Sequence, residues 1–354
     1  MIVDFFQKIE QQYESQLPFV VYCKPGDSQI IGVFQNDAER YSIDDFTEKG
    51  FAFVSFDGQQ KVLIPWDKSD IYVQQKSSST LYFEAEISLE YNSEAKLEFE
   101  KLVHQGVQAI NEGEFQKVVL SRIVSFPIEK IALISIFQKT IALYPNVFCS
   151  LFFHPKIGTW IGATPEQLVQ RKDQVIKTVA LAGTQLFVEN ETITWKQKER
   201  EEQQFVTDFI LENLQGEVAE VRKSDPYTFR AGNIVHIKTD IQGILDNEFS
   251  FQKLVNRLHP TPAICGMPKN EAFDFIIKNE GYDREFYSGF LGELNVDFRT
   301  GKENQSDLFV NLRCMQIKER LVQLYVGCGI TKDSNPESEF FETQNKSVTM
   351  RKVL

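Results

Sequence analysis

Residues 290–330 contain three apolar runs, FLGELNVDF (290–298), LFVNLRCMQI (308–317) and RLVQLYVGCGI (320–330), separated by short polar, turn-rich stretches. Runs of this length, rich in aromatic and β-branched side chains and bounded by turn residues, read as strands, and three in succession predict an antiparallel meander. Upstream, KVVLSRIVSF (117–126), NVFCSLFFH (146–154), TWIGAT (159–164), QLVQRK (167–172) and VIKTVALAGT (175–184) have the same character, with His154–Gly158 suited to a hairpin turn. Residues 1 to about 75 alternate apolar runs with turns such as Pro25-Gly26 and Asp57-Gly58, again a strand pattern. Lys76–Thr80 reads as a loop. Between these lie helical stretches at Asn92–Glu112 and about 196–214, and a last helix with Asn335 as cap and Pro336 at its first position. No Gly- or Ser-rich linker follows residue 81. The expected fold is α+β, one large domain over residues 1–354, with mixed, mostly antiparallel sheets and helices packed outside.

A formal net charge of −12 and the lack of clustered Lys and Arg argue against a nucleic-acid partner. Five scattered cysteines, Cys23, Cys149, Cys265, Cys314 and Cys328, show no CxxC spacing, so neither a disulfide framework nor a zinc site is expected. No stretch approaches the roughly 20 apolar residues of a membrane span, and the N-terminus lacks a leader pattern. A cytoplasmic protein without membrane attachment or an obligate protein partner, and hence a monomer, is the expectation.

Two glutamate pairs at helical spacing stand out, Glu199 with Glu202 and Glu339 with Glu342. At about 100° per residue the first pair shares an arc with Val206, Phe209 and Ile210, while Arg200, Glu201 and Gln204 point the other way. Carboxylates on a core-facing arc need a cation, a proton or a hydrogen-bond network; the plainer alternative is a solvated charge run. Carboxylate-only ligands suit Mg²⁺ or Ca²⁺. Lys346 falls four residues after Glu342, which is either one Glu–Lys pair on an exposed helix, worth about 0.2–0.5 kcal/mol, or a cation on an acidic wall. Lys117 opens a strand and Glu166 a turn; each is ordinarily solvated, but burial would make the one a base and the other an acid. Arg313 inside an apolar strand requires an internal acid or a ligand carboxylate. Gly183-Thr184, Gly327 and Gly329 permit either a close ligand approach or a bulge, and His236 reads as a strand histidine.

Taken in order, KVVLSR, IGATPEQL, LAGTQ, the KExxE helix, LHPTPAICGMPK, EGYDREFYSGFLGEL, NLRC, VGCGI and ESEFFETQNK resemble the chorismate-utilising enzymes of menaquinone, siderophore and tryptophan-precursor synthesis. The resemblance covers residues 92–354, is strongest to the isochorismate synthase branch, and matches residues 1–90 weakly. It implies a small-molecule substrate, chorismate, bound together with Mg²⁺. Glu202 and Glu342 are then direct metal ligands, and Glu199 and Glu339 bind through water. It further implies that Arg313, Lys346, Tyr287 and the amides of Gly327 and Gly329 hold the substrate carboxylates, with His236 and Thr184 orienting the ring.

Within that resemblance Lys117 implies water rather than ammonia as nucleophile, and Ala182 stands where aminodeoxychorismate synthases carry a lysine. Ala263 and Ile264 resemble the isochorismate-releasing type; salicylate synthases have a threonine at the Ala263 position. The implied mechanism has Lys117 activating water toward ring C2 while Glu166 protonates the departing C4 hydroxyl. Salicylate synthesis, with pyruvate elimination, and a non-catalytic chorismate-binding paralogue are the alternatives. Gln203 departs from the histidine many relatives have there, and no tryptophan-feedback segment is seen.

Overall fold

The computed structural model describes residues 4–76, 91–128, 132–189, 193–231, 234–246 and 249–354; all but the first residue of the expected loop at 76–80 lies outside them. Helix α1 (Phe5–Glu14) precedes β1 (Phe19–Cys23), β2 (Gln29–Gln35), β3 (Tyr41–Ser42), β4 (Gly50–Val54), β5 (Lys61–Pro65) and β6 (Ser69–Gln75). Next come α2 (Ser93–Asn111), β7 (Lys117–Pro127), α3 (Leu133–Leu143), β8 (Phe148–His154), β9 (Gly158–Thr164), β10 (Gln167–Lys172) and β11 (Val175–Leu186). They are followed by α4 (Gln197–Leu214), β12 (Val218–Lys223), β13 (Tyr227–Ala231), β14 (Ile234–Leu245), α5 (Phe251–Leu258), β15 (Gly266–Met267) and α6 (Lys269–Asn279). The chain ends with β16 (Phe290–Leu294), β17 (Gln305–Val310), β18 (Cys314–Lys318), β19 (Leu321–Ile330) and α7 (Pro336–Arg351).

These strands form two sheets. The first runs β15-β7-β19-β18-β9-β8-β1-β2-β6 and the second β12-β14-β11-β10-β17-β16-β4-β5-β3, with β13 also on β14. Every ladder between named strands is antiparallel, and parallel pairing among the described residues is confined to the isolated bridge Gln215–Val218. The N-terminal strands belong to both sheets, β1 pairing with β8 and β4 with β16. Residues 290–330 do not form the single meander expected of them. The run LFVNLRCMQI divides at Asn311–Arg313: β17 pairs with β16 and β10 in the second sheet, β18 with β19 and β9 in the first. Arg313, at φ +47°, is the turning point rather than a strand residue.

Both faces of the central strands are buried, which is why they read as unbroken apolar runs. In β1, Val20 and Tyr22 point between the sheets while Phe19, Val21 and Cys23 pack under the helices outside. In β4, Phe51 and Phe53 point inward, Ala52 and Val54 toward the helices of the second sheet. The inter-sheet layer is aromatic, with Phe148 stacked on Phe309 at 4.3 Å and Phe53 on Phe286 at 4.2 Å. All five cysteines are buried and free. The Asn335 cap accepts from the Ser338 amide, with Pro336 at the first turn as expected.

A polar cluster interrupts this layer. Tyr22 donates its hydroxyl to Glu293 at 2.5 Å; the Lys24 ammonium lies 2.5 Å from Glu293, 3.7 Å from Asp297 and 3.9 Å from Asp307. Burial pushes the Glu293 and Asp307 carboxyls upward, and Lys24 opposes that shift. A Lys24→Met substitution strands a buried carboxylate, and urea unfolding at pH 8 is expected to show a loss of about 3 kcal/mol. Unchanged stability would mean that the lysine compensates nothing.

Candidate active site

Two segments pass side by side from sheet to sheet. Thr164-Pro165-Glu166 leads from β9 to β10, and Asn311-Leu312-Arg313 leads from β17 to β18 in the opposite sense. The Ala163 amide donates to the Arg313 carbonyl at 3.0 Å, and the Val310 amide donates to the Glu166 carbonyl at 2.9 Å. Glu166 and Arg313 are thereby fixed as neighbours where the two sheets exchange strands. The Arg313 side chain is half-buried and held below its ordinary value by desolvation, with Tyr287, Glu342, Tyr144 and Glu166 nearby. Its guanidinium makes one hydrogen bond among the described residues, to Thr349 Oγ1 at 3.2 Å, which leaves donors for an anionic ligand.

Glu166 is pushed up to about 7 by burial, opposed by a hydrogen bond from Thr261 and by the charges of Lys117 and Arg313. Thr261 Oγ1 donates to Glu166 Oε1 at 3.4 Å. The threonine escaped the sequence reading, although it sits in the quoted HPTPA block. A cavity of about 10 Å³, room for roughly one water, is lined by Glu166, Thr178, Leu181, Thr261 and Ala263. Ile264, next in the chain, is buried in the apolar core of the second sheet.

The opposite wall comes from the first sheet. Lys117 opens β7, and its Nζ lies 2.7 Å from Glu202 Oε1 on α4. Gly329 gives the lysine its room, since a side chain at 329 would bring its first carbon within 3.1 Å of Lys117 Cε. A side chain at Gly327 would meet the Tyr287 hydroxyl and the Leu120 carbonyl, each at 2.8 Å. Tyr287 is buried and stacks on Tyr325 at 5.4 Å. Lys346 donates to the Gly327 carbonyl at 2.8 Å and pairs with Glu342 at 2.7 Å.

Gly183 lies at φ +69° in a bulge between Ala182 and Thr184, where β11 pairs with β14. Its bare Cα lets α4 settle on the strand, because a side chain there would stand 3.0 Å from Glu199 Cβ. The bulge puts residue 184 in register with His236, whose Nδ1 lies 3.2 Å from the Gly183 carbonyl oxygen. The Thr184 side chain lies outside the described part of the chain. Burial lowers the His236 imidazole, with Arg313 and Lys346 acting in the same direction.

The glutamate pairs thus occupy two walls, Glu199 and Glu202 on α4, Glu339 and Glu342 on α7. Among the described residues no three His, Cys, Asp or Glu side chains stand close enough together to hold a metal ion. Two observations fit a cation nevertheless. Glu199 Oε2 is buried without a hydrogen-bond partner among the described residues, and burial, helped by the charge on Glu342, pushes the Glu339 carboxyl upward. Their all-oxygen donor set suits a hard divalent ion. Gln203, the departure noted above, is buried and donates to Thr207 and Thr239.

A family model described as chorismate binding enzyme matches residues 57–354. The chain belongs to the chorismate-binding enzyme family. It is 30% identical over 268 residues to isochorismate synthase MenF of Escherichia coli (strain K12), an alignment covering 72% of this chain and 59% of that protein. Isochorismate synthase EntC of the same organism is 27% identical over 321 residues, 85% of this chain and 80% of that protein. The chain thus spans a little over half the length of some of the relatives it matches. The solved structure of the E. coli menaquinone-specific isochorismate synthase MenF covers 100% of this chain and 92% of its own, with a TM-score of 0.80 at 22% identity. Anthranilate synthase component I from Streptococcus pneumoniae superimposes with a TM-score of 0.66 at 18% identity, covering 94% of this chain and 89% of that one. Both likenesses show the fold. Among the described residues no helix is long and apolar enough to cross a membrane.

The raised Glu166 carboxyl has a consequence for stability. The folded protein keeps a proton that the unfolded chain releases between pH 4.5 and about 7, so stability falls as pH rises through that window. A Glu166→Gln variant is expected to gain roughly 2–3 kcal/mol over the parent at pH 8 and almost nothing at pH 4.5. Urea unfolding at both pH values checks this, and an equal effect at the two would place the carboxyl in solvent.

Proposed function

We propose that this protein converts chorismate to isochorismate in a Mg²⁺-dependent reaction. The observation that carries the reading is the pairing across one site of an amine on the first sheet, Lys117, with a carboxyl on the second that can still be protonated near neutral pH, Glu166. An addition of water coupled to loss of a hydroxyl needs such groups, one to accept a proton and one to donate it. Arg313 and Lys346 lie close enough to shift the charge state of neighbouring groups and supply the positive counterpart for a dicarboxylate, in a chain whose net charge is −12.

In this reading Arg313 and Lys346 grip the carboxylates, with the Tyr287 hydroxyl and the backbone at Gly327 and Gly329 beside them. Lys117, in its uncharged amine form, takes a proton from a water directed at ring C2, and Glu166 delivers its proton to the hydroxyl leaving C4 as the ring double bond shifts. The water gained and the water lost cancel, so the product is an isomer. His236, neutral through burial, and Thr184 orient the ring. Mg²⁺, when bound, would be held by Glu202 and Glu342 directly, with Glu199 and Glu339 behind them through water, and would neutralise the acidic walls facing a dianionic substrate. Ala263, lining the cavity beside Glu166, supports release of isochorismate rather than onward elimination.

Incubation with chorismate and Mg²⁺, followed by chromatography, tests the proposal. Isochorismate is the expected product; salicylate with pyruvate would reassign the chemistry, and unchanged chorismate would leave a binding protein. Lys117→Ala should lower kcat by about 10²–10⁴-fold with chorismate binding retained. Glu202→Gln and Glu342→Gln should each raise the Mg²⁺ concentration needed for half-maximal rate, and an unaltered Mg²⁺ titration would remove these glutamates from the metal site.

A further inference from the structure

One buried ion pair joins the loop that contacts the acid to the strand that carries the base. Arg284 and Glu280 are both almost fully enclosed and meet at 2.5 Å and 2.7 Å through two hydrogen bonds. The guanidinium also donates through Nη1 to the Ile264 carbonyl at 3.0 Å and through Nη2 to the Val119 carbonyl at 2.7 Å, while its face covers the Phe56 ring at 4.4 Å. Ile264 belongs to the loop that supplies Thr261 to Glu166; Val119 is two residues beyond Lys117 on β7. The loop is stitched to the strand along the same seam by Val119 N to Cys265 O and Gln116 N to Met267 O, both 2.7 Å. Glu280 in turn accepts from the Ser121 amide at 2.7 Å and its hydroxyl at 2.9 Å, and Ser121 lies opposite Gly327, the carbonyl partner of Lys346.

We infer that Arg284 is a positioning residue for the proposed reaction: its planar fork, locked by Glu280, fixes the loop of Thr261–Ile264 against β7 and so sets the distance between Glu166 and Lys117. A fork is needed because two carbonyls on different segments must be reached at once, which a lysine ammonium on a flexible stem does less well. The inference rests on the chorismate reading for its kinetic consequence, but the positioning itself has a readout in the free protein.

The test compares three variants by kinetics and by NMR titration of ¹³C-labelled Glu166. Arg284→Lys keeps a cation beside Glu280 yet gives up the fork. It is expected to lower kcat by about 10²-fold while KM for chorismate stays within about threefold, because the groups that grip the carboxylates are untouched. Glu280→Gln keeps the fork and is expected to retain kcat within about threefold, although its stability falls. Should Arg284→Lys fail to fold, the double variant Arg284→Gln/Glu280→Gln removes both charges together and is expected to show the same kinetic loss. In both fork-less proteins the loop loosens over Glu166, so its titration midpoint should drop from about 7 toward the ordinary carboxylate range. Losses of kcat that simply follow thermal stability across the series, with the Glu166 midpoint unmoved, would overturn the inference. If the parent protein does not turn over chorismate, the functional reading fails, and the Glu166 midpoint alone decides the role of Arg284.

Discussion

The structure depends on a pair of backbone hydrogen bonds, Ala163 N to Arg313 O and Val310 N to Glu166 O, that tie together two segments crossing between the sheets in opposite directions. β9 and β18 belong to the first sheet and β10 and β17 to the second, and these bonds tie the two connections between them to each other. With them the two sheets share a seam. Residues at a seam cannot have the regular geometry of either sheet, and Arg313 accordingly takes up a left-handed conformation uncommon outside glycine. The same constraint holds the backbones of Glu166 and Arg313 side by side.

The walls of the site are built against stability. Glu166, Arg313 and His236 are each shifted toward their uncharged forms by burial, and Glu199 keeps an oxygen with no partner among the described residues. Groups perturbed in this way cluster at sites where an incoming ligand can satisfy them. The aromatic layer and the apolar cores under the helices offset the cost, and the lysine–carboxylate pairs Lys117–Glu202 and Lys346–Glu342 neutralise part of the charge in the free protein.

Much of the fold was legible in the chain. The strand QLVQRK has its expected limits, the Asn335–Pro336 cap starts α7, and Glu199 and Glu202 lie on the side of α4 that carries the buried Val206 and Ile210. What could not be read is the division of LFVNLRCMQI between two sheets. A strand buried on both faces shows no alternation, so nothing in its pattern marks the residue at which it leaves one sheet for the other. At the site, each candidate residue could be named from its block, but the partners could not. The meeting of Lys117 with Glu202 spans 85 positions, and Thr261 acquires its role only because a distant loop folds beside Glu166.

The bulge at Gly183 makes β11 one residue longer than its ladder with β14 requires. Up to Ala182, alternate residues Ile176, Thr178 and Ala180 are buried toward the core; beyond it the sequence numbering is out of step, and position 184 falls beside His236 instead of Val235. One strand therefore works as two pieces of opposite parity, with a single uncounted residue as the switch between them. A chain lacking that residue would have a tidier sheet and would lose the bare Cα on which Glu199 of α4 rests.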